Sequence, residues 1–207
     1  APGDATDAQM DALTDIAEQY SFGEIRVTHE QNLVLADVRE QDLLEVWRAL
    51  DKARLATANI GSVNDMICCP GLDFCSLANA TSIPIAKQIN ETFTDFQELY
   101  DIGEVKLKMS GCMNACGHHH VGHIGILGVD KKGEEWYQLT VGGDATNTAE
   151  LGTRMGPAIA KDNVGKAVRD ILEVYKDERE ADERLLDTFR RIGIEPFKAR
   201  VYAEEAA

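Results

Sequence analysis

The sequence predicts an α+β fold in two successive parts, residues 1–62 and 63–207. Three observations carry that expectation. Apolar residues recur at helical spacing near both ends of the chain, short apolar or alternating runs between them read as strands, and two tight cysteine pairs each follow such a run. With 44% hydrophobic residues in 207, the chain has enough apolar surface to bury a core.

Thr6 followed by Gln9 forms the pattern of a capping box, and Met10, Leu13, Ile16, Ala17 and Tyr20 continue at helical spacing. A helix over 7–20 is expected, stopping at Gly23. Ile25 and Val27 alternate with polar neighbours and Leu33-Val34-Leu35 is a short apolar run, so two strands flank residues 28–32. Leu43, Leu44, Val46, Trp47 and Leu50 mark a second helix over 40–54, with Trp47 expected in a core or an interface. This α-β-β-α unit is a half-sheet whose edges need further strands.

Residues 64–68 are expected to form a buried strand that runs into Cys69-Pro70-Gly71, where Pro and Gly impose an irregular turn. A helix bent at Pro84 is expected over 79–99. Val105, Leu107 and Met109 alternate with charged residues and deliver the chain to Ser110-Gly111-Cys112. Residues 122–129 and 135–141 read as a hairpin closed by Gly142-Gly143, with Trp136 again in a core or interface. Two late helices follow, one through Val164, Val168, Ile171 and Tyr175, the other through Leu185, Phe189 and Ile192 before Gly193. The acidic run 176–184 reads as a solvated helix face or a helix junction.

Charge and composition exclude several functions. Lys plus Arg is 21 and Asp plus Glu is 36, and the resulting net charge of −15 repels phosphate backbones, so no nucleic-acid partner is expected. No apolar stretch reaches the ~18 residues of a membrane span, and the start lacks the basic and apolar regions of a secretory signal. A cytoplasmic protein without a membrane partner is expected. Five cysteines is an odd number, and four of them stand in two close pairs rather than in a disulfide framework.

Those pairs carry the chemistry. Cys69 and Cys75 form a C-x5-C, and Cys112 and Cys116 a C-x3-C. Four thiolates can close around one iron–sulfur cube, and Gly71, Gly111 and Gly117 let the backbone approach it. Spacing alone leaves Cys₄ zinc open, as a non-catalytic binding module. His118, His119, His120 and His123 read as partly solvated and partly hydrogen-bonded residues of a strand entering the core, although imidazoles near thiols also capture metal.

The motif Ser110-Gly111-Cys112-Met113-Asn114-Ala115-Cys116-Gly117, followed by His123-Ile124-Gly125-Ile126-Leu127-Gly128, resembles the signature of assimilatory sulfite reductase hemoproteins and ferredoxin-dependent nitrite reductases. The segment from Ile25 to Leu35, the Gly142-Gly143 turn and Gly152-Thr153-Arg154 extend the resemblance over nearly the whole chain. It implies a ferredoxin-like half domain over 1–62, then a mixed α/β domain over 63–207 that binds siroheme and a [4Fe-4S] cluster. By the resemblance, Cys69, Cys75, Cys112 and Cys116 ligate the cluster, and Cys116 also bridges to the siroheme iron, which makes it the catalytic cysteine. Asn114 and Gly117 are expected beside the cluster, and Gln31 and Asn32 match a cofactor-contacting loop.

The implied reaction is six-electron reduction of sulfite to sulfide, or nitrite to ammonia, with ferredoxin or a flavoprotein as electron donor. A role for the histidines in siroheme carboxylate contact or proton supply is an alternative to their structural reading. Choosing Cys68 instead of Cys69 would give C-x6-C, which departs from the family, so Cys68 reads as a buried small apolar residue. Two departures stand out. Met113 replaces the family's usual Pro, which predicts a less rigid loop. The N-terminal half of the enzyme, with the basic residues that bind the anion, has no counterpart in this sequence, so the chain is expected to be an inactive fragment in which siroheme is not assured.

Overall fold

The computed structural model describes residues 4–203. The chain divides into two compact units, one ending at Asn59 and the other starting at Ile60.

The first unit runs α1 (Asp7–Tyr20), β1 (Ile25–Val27), β2 (Leu33–Leu35) and α2 (Leu43–Lys52). The capping box is present, with the Gln9 amide donating to Thr6 Oγ1 at 3.2 Å and the Thr6 amide to Gln9 Oε1 at 3.0 Å. α1 ends one residue before Ser21, and Phe22 takes the left-handed conformation (φ 52°) that lets the Gly23 amide close on the Ala17 carbonyl. β1 and β2 pair antiparallel, Ile25 opposite Leu35. α2 follows a 3-10 turn over Glu40–Asp42. Val46 is its one buried residue, and Trp47 is 52% exposed rather than enclosed in a core.

The second unit is built on a mixed sheet. Its strands are β3 (Ile67–Cys68), β4 (Leu107–Ser110), β5 (Ile124–Lys131), β6 (Glu134–Val141), β7 (Thr153–Arg154) and β8 (Ile159–Ala160). The spatial order is β3-β4-β5-β6-β7, with β8 also on β6. β3, β4 and β5 are parallel, Cys68 opposite Met109 and Met109 opposite Ile126, whereas β5 and β6 form an antiparallel hairpin. Period-two burial places Leu107 and Met109, and Tyr137, Leu139 and Val141, in the core. That core continues into α3 (Ile83–Thr92), α4 (Phe96–Ile102), α5 (Val164–Glu178), α6 (Leu185–Ile192) and α7 (Glu195–Val201).

Several expected elements differ. The single helix over 79–99 is two helices, because Pro84 begins α3 in its first turn instead of bending a longer one. Asp95 then caps α4 by accepting from the amides of Gln97 and Glu98. Arg169 of α5 fills the break, stacking 4.4 Å over Phe93, donating to the Thr92 carbonyl and pairing with Glu98 at 2.8 Å. The expected strand over 64–68 shortens to Ile67–Cys68. The histidines do not lie on a strand: His119–Val121 is a 3-10 turn entered through His118 in the left-handed conformation. Trp136 is partly exposed under the Lys131 ammonium, 4.2 Å from the ring centroid. The acidic run is the junction of α5 and α6, where Glu183 accepts from Arg191 at 2.6 Å and from Thr188.

Candidate metal centre at two cysteine loops

Parallel pairing brings the two cysteine loops together. β3 and β4 lie side by side and end together, so Cys69 leaves the sheet beside the Ser110-Gly111-Cys112 segment. The C-terminal edge of parallel strands is where open α/β sheets place ligands, because the chain diverges there into loops. The Cys69 amide donates to the Met109 carbonyl at 3.2 Å, and the Gly111 amide donates to Cys69 Sγ at 3.0 Å. The Gly111 carbonyl accepts from both Asn79 and Ala80, just after Cys75. One residue therefore ties the second loop to both ends of the first.

Glycine makes that contact possible. A Cβ on Gly111 would lie 2.7 Å from the Ala80 carbonyl and 2.8 Å from Gly71 Cα, and one on Gly128 would meet Ala80 Cβ at 2.7 Å. Gly117 is the tightest position of the second loop, with a Cβ there falling 1.9 Å from the Met109 carbonyl oxygen. Its amide donates to Ser110 Oγ at 3.1 Å, which pins the loop to the end of β4.

A polar cluster clamps the first loop. Glu135 of β6 accepts from both the amide and the hydroxyl of Thr81, each at 2.6 Å, and from Lys161 at 2.9 Å. Tyr137 donates to the Thr81 carbonyl at 2.8 Å. Burial pushes the Glu135 carboxyl up, but the hydrogen bonds donated by Thr81 and Lys161, with a share of the Tyr137 hydroxyl proton, outweigh it and hold the group down at about 2. Burial also pushes the Tyr137 phenol up. Thr81 bridges to Gly71, which carries the restraint back to the turn after Cys69. None of these residues was singled out in the sequence: 54 residues separate Thr81 from Glu135, and no local pattern links them.

The thiols differ in setting. Cys112 is buried, Cys69 and Cys75 are half-buried, and Cys116 is exposed. Cys68, 2% exposed, faces the core, and its thiol donates to the Cys69 carbonyl at 3.2 Å. Burial first, then the neighbouring Cys69, pushes its pKa up to about 12, so it stays a protonated thiol. Asn114 is exposed on the second loop. Gln31 and Asn32 belong to the first unit, at the tip of the β1–β2 connection, where the Asn32 amide donates to Thr28 Oγ1. Burial lowers the pKa of His119 and His123, and His123 Nδ1 accepts from the Lys106 amide at 3.2 Å.

The residues present fit a cluster. Four thiols stand on irregular backbone, one sulfur already receives an amide hydrogen bond, and glycines occupy the points of closest approach. Among the described residues no three His, Cys, Asp or Glu side chains are gathered as a single-ion site.

Residues 61–207 match the family model described as the nitrite and sulphite reductase 4Fe-4S domain. The chain belongs to that family. A second model, the nitrite/sulfite reductase ferredoxin-like half domain, matches residues 1–53. Among curated members, a sulfite reductase [NADPH] hemoprotein beta-component of Bacillus licheniformis is 28% identical over 189 residues, 89% of this chain and 32% of that protein. An assimilatory-type sulfite reductase of Nitratidesulfovibrio vulgaris is 25% identical over 93% of this chain and 84% of its own length. The chain thus spans about a third of the first relative and most of the second. The solved structure of the Mycobacterium tuberculosis NirA protein superposes with a TM-score of 0.78 at 21% identity, covering 91% of this chain and 36% of that one. Dissimilatory sulfite reductase I gives 0.79 at 16% identity, covering 98% and 67%. These establish the α+β fold. No helix among the described residues is long and apolar enough to cross a membrane.

Proposed function

We propose that this chain is the cluster-bearing part of a siroheme-dependent reductase that reduces sulfite to sulfide, or nitrite to ammonia. Cys69, Cys75, Cys112 and Cys116 hold a [4Fe-4S] cluster, and Cys116 also supplies its sulfur to the siroheme iron. The observation that carries the proposal is the meeting of both cysteine loops at Gly111, whose amide hydrogen-bonds Cys69 Sγ at 3.0 Å. When bound, the two groups supply storage and delivery of single electrons at the iron that takes the anion.

The chain's own residues divide the remaining work. Gly111 and Gly117 hold the second pair close to the sheet, and Thr81, Glu135 and Tyr137 fix the first pair. Cys116, the exposed thiol, is the one open to a second group, in keeping with a bridging role. Asn114 and the Gly117 region lie on the same loop as Cys116. By the resemblance, anion binding falls to basic residues of an N-terminal half. Electrons come from ferredoxin or a flavoprotein, and the protein works in the cytoplasm.

The test is expression of the complete gene with siroheme synthesis, followed by optical and electron paramagnetic resonance spectra and assays with both anions. Tetrapyrrole bands, a four-iron signal and turnover of one anion are expected, with no turnover by the 207-residue chain alone. Colourless intact protein holding tightly bound zinc would establish the non-catalytic Cys₄ alternative instead.

A further inference from the structure

We infer that Ser82 is a positioning residue that sets the electron affinity of the centre through Cys69, an inference that rests on Cys69 being a ligand. Ser82 is 0% exposed, and its Oγ lies 3.7 Å from Cys69 Sγ. Among the described residues that sulfur is the hydroxyl's hydrogen-bond partner. In a free thiol either atom could donate. A metal-bound cysteine sulfur has lost its proton, so Ser82 then donates and Cys69 accepts.

Cys69 Sγ therefore receives two hydrogen bonds, one from the Gly111 amide and one from the Ser82 hydroxyl. Both come from groups held in advance. The Ser82 hydroxyl sits 2.7 Å from where a Cβ on Gly71 would be, so the absence of that atom opens its path to the sulfur. Its neighbour Thr81 is fastened through backbone and side chain to Glu135 and Tyr137. A donor aimed at a ligand sulfur stabilises the more electron-rich state of a cluster more than the electron-poor one, because the sulfur carries more negative charge there. Removing the hydroxyl should make the cluster harder to reduce without removing any ligand. A hydroxyl that served packing alone would leave the potential where it was.

The experiment uses the full-length, cluster-loaded protein and its Ser82→Ala, Ser82→Thr and Cys69→Ala variants. Each is titrated reductively with redox mediators and followed by electron paramagnetic resonance, with resonance Raman of the iron–thiolate stretch. Ser82→Ala is expected to keep its cluster and, poised at the wild-type midpoint, to show an oxidised-to-reduced ratio about tenfold higher, which is about 59 mV for a one-electron couple. Ser82→Thr restores the hydroxyl and should stay within about twofold of wild type on the same scale. An unshifted midpoint in Ser82→Ala overturns the inference, as does an equal shift in both Ser82 variants or loss of the cluster from Ser82→Ala alone. Cys69→Ala separates the two ideas. If it keeps an unaltered four-iron signal, the ligand assignment falls and this inference falls with it. If it loses that signal while Ser82→Ala leaves the midpoint in place, the inference alone is refuted.

Discussion

The loop that carries Cys69 and Cys75 is gripped by side chains reaching across the fold, whereas the tightest restraint on the loop that carries Cys112 and Cys116 is a glycine pressed against the backbone. In the first, Glu135 and Tyr137 grip Thr81 through hydrogen bonds. In the second, Gly117 presses its bare Cα toward the Met109 carbonyl, and Ser110 catches its amide. Hydrogen-bonded restraint yields to protons and to polar substitutions. Steric restraint yields to added atoms and is indifferent to pH.

Gly117→Ala tests the steric loop and should have the largest effect. A methyl 1.9 Å from a backbone oxygen has no rotamer to escape through, so the loop must move, at a cost of about 4 kcal/mol or more. Urea denaturation should show the loss, and iron content should fall with it. Wild-type stability in this variant would break the comparison.

Glu135→Ala comes next. It strands the Thr81 amide, leaves the Thr81 hydroxyl with Tyr137 alone, and deprives Lys161 of its partner, for a loss of about 3 kcal/mol by the same measurement. An unchanged midpoint of denaturation would show that the clamp does not restrain the first loop.

Acid sharpens the contrast. The Glu135 carboxyl is depressed in the folded protein to about 2 from an ordinary 4.5. Its contribution is therefore complete above about pH 4.5 and is lost as the pH falls toward 2, amounting to about 2 kcal/mol after allowance for partial exposure. Comparing the pH dependence of wild type with that of Glu135→Gln isolates this share. Parallel curves would remove Glu135 from the account.

Cys68→Ala should be mildest, costing about 1 kcal/mol for the lost sulfur in the core. Cluster content should be unaltered. A lost cluster would transfer the ligand role from Cys69 to its neighbour.

Much of the scaffold was legible in the residues because its signals are local. The capping box of Thr6 and Gln9, the alternation through Leu107 and Met109, and the hairpin around Lys131 and Gly133 all act within a few positions. The broken helix was not, because Ile85, Ile89, Phe93 and Phe96 continue an apolar spacing, and the break depends on Arg169 arriving from α5. β7 and β8 are two residues each, too short for any period to register. The position of the cysteines after strands could be read directly, but the Glu135 clamp and the Ser82 hydroxyl could not. Their partners meet only after the sheet has formed. The histidines were misread for a different reason, since the left-handed turn at His118 is a matter of local backbone geometry that side-chain polarity does not signal.

The clamp also dictates a timetable. Thr81 leaves the ribosome 54 residues ahead of Glu135, an interval of about 3–10 s at ordinary rates of synthesis. During that interval the loop of Cys69 and Cys75 lacks the grip of Glu135 and Tyr137, although Gly111, made earlier, can already tie it. Iron offered to the nascent chain at that stage would meet thiols on a loop not yet clamped, so loading is favoured once the hairpin has been made.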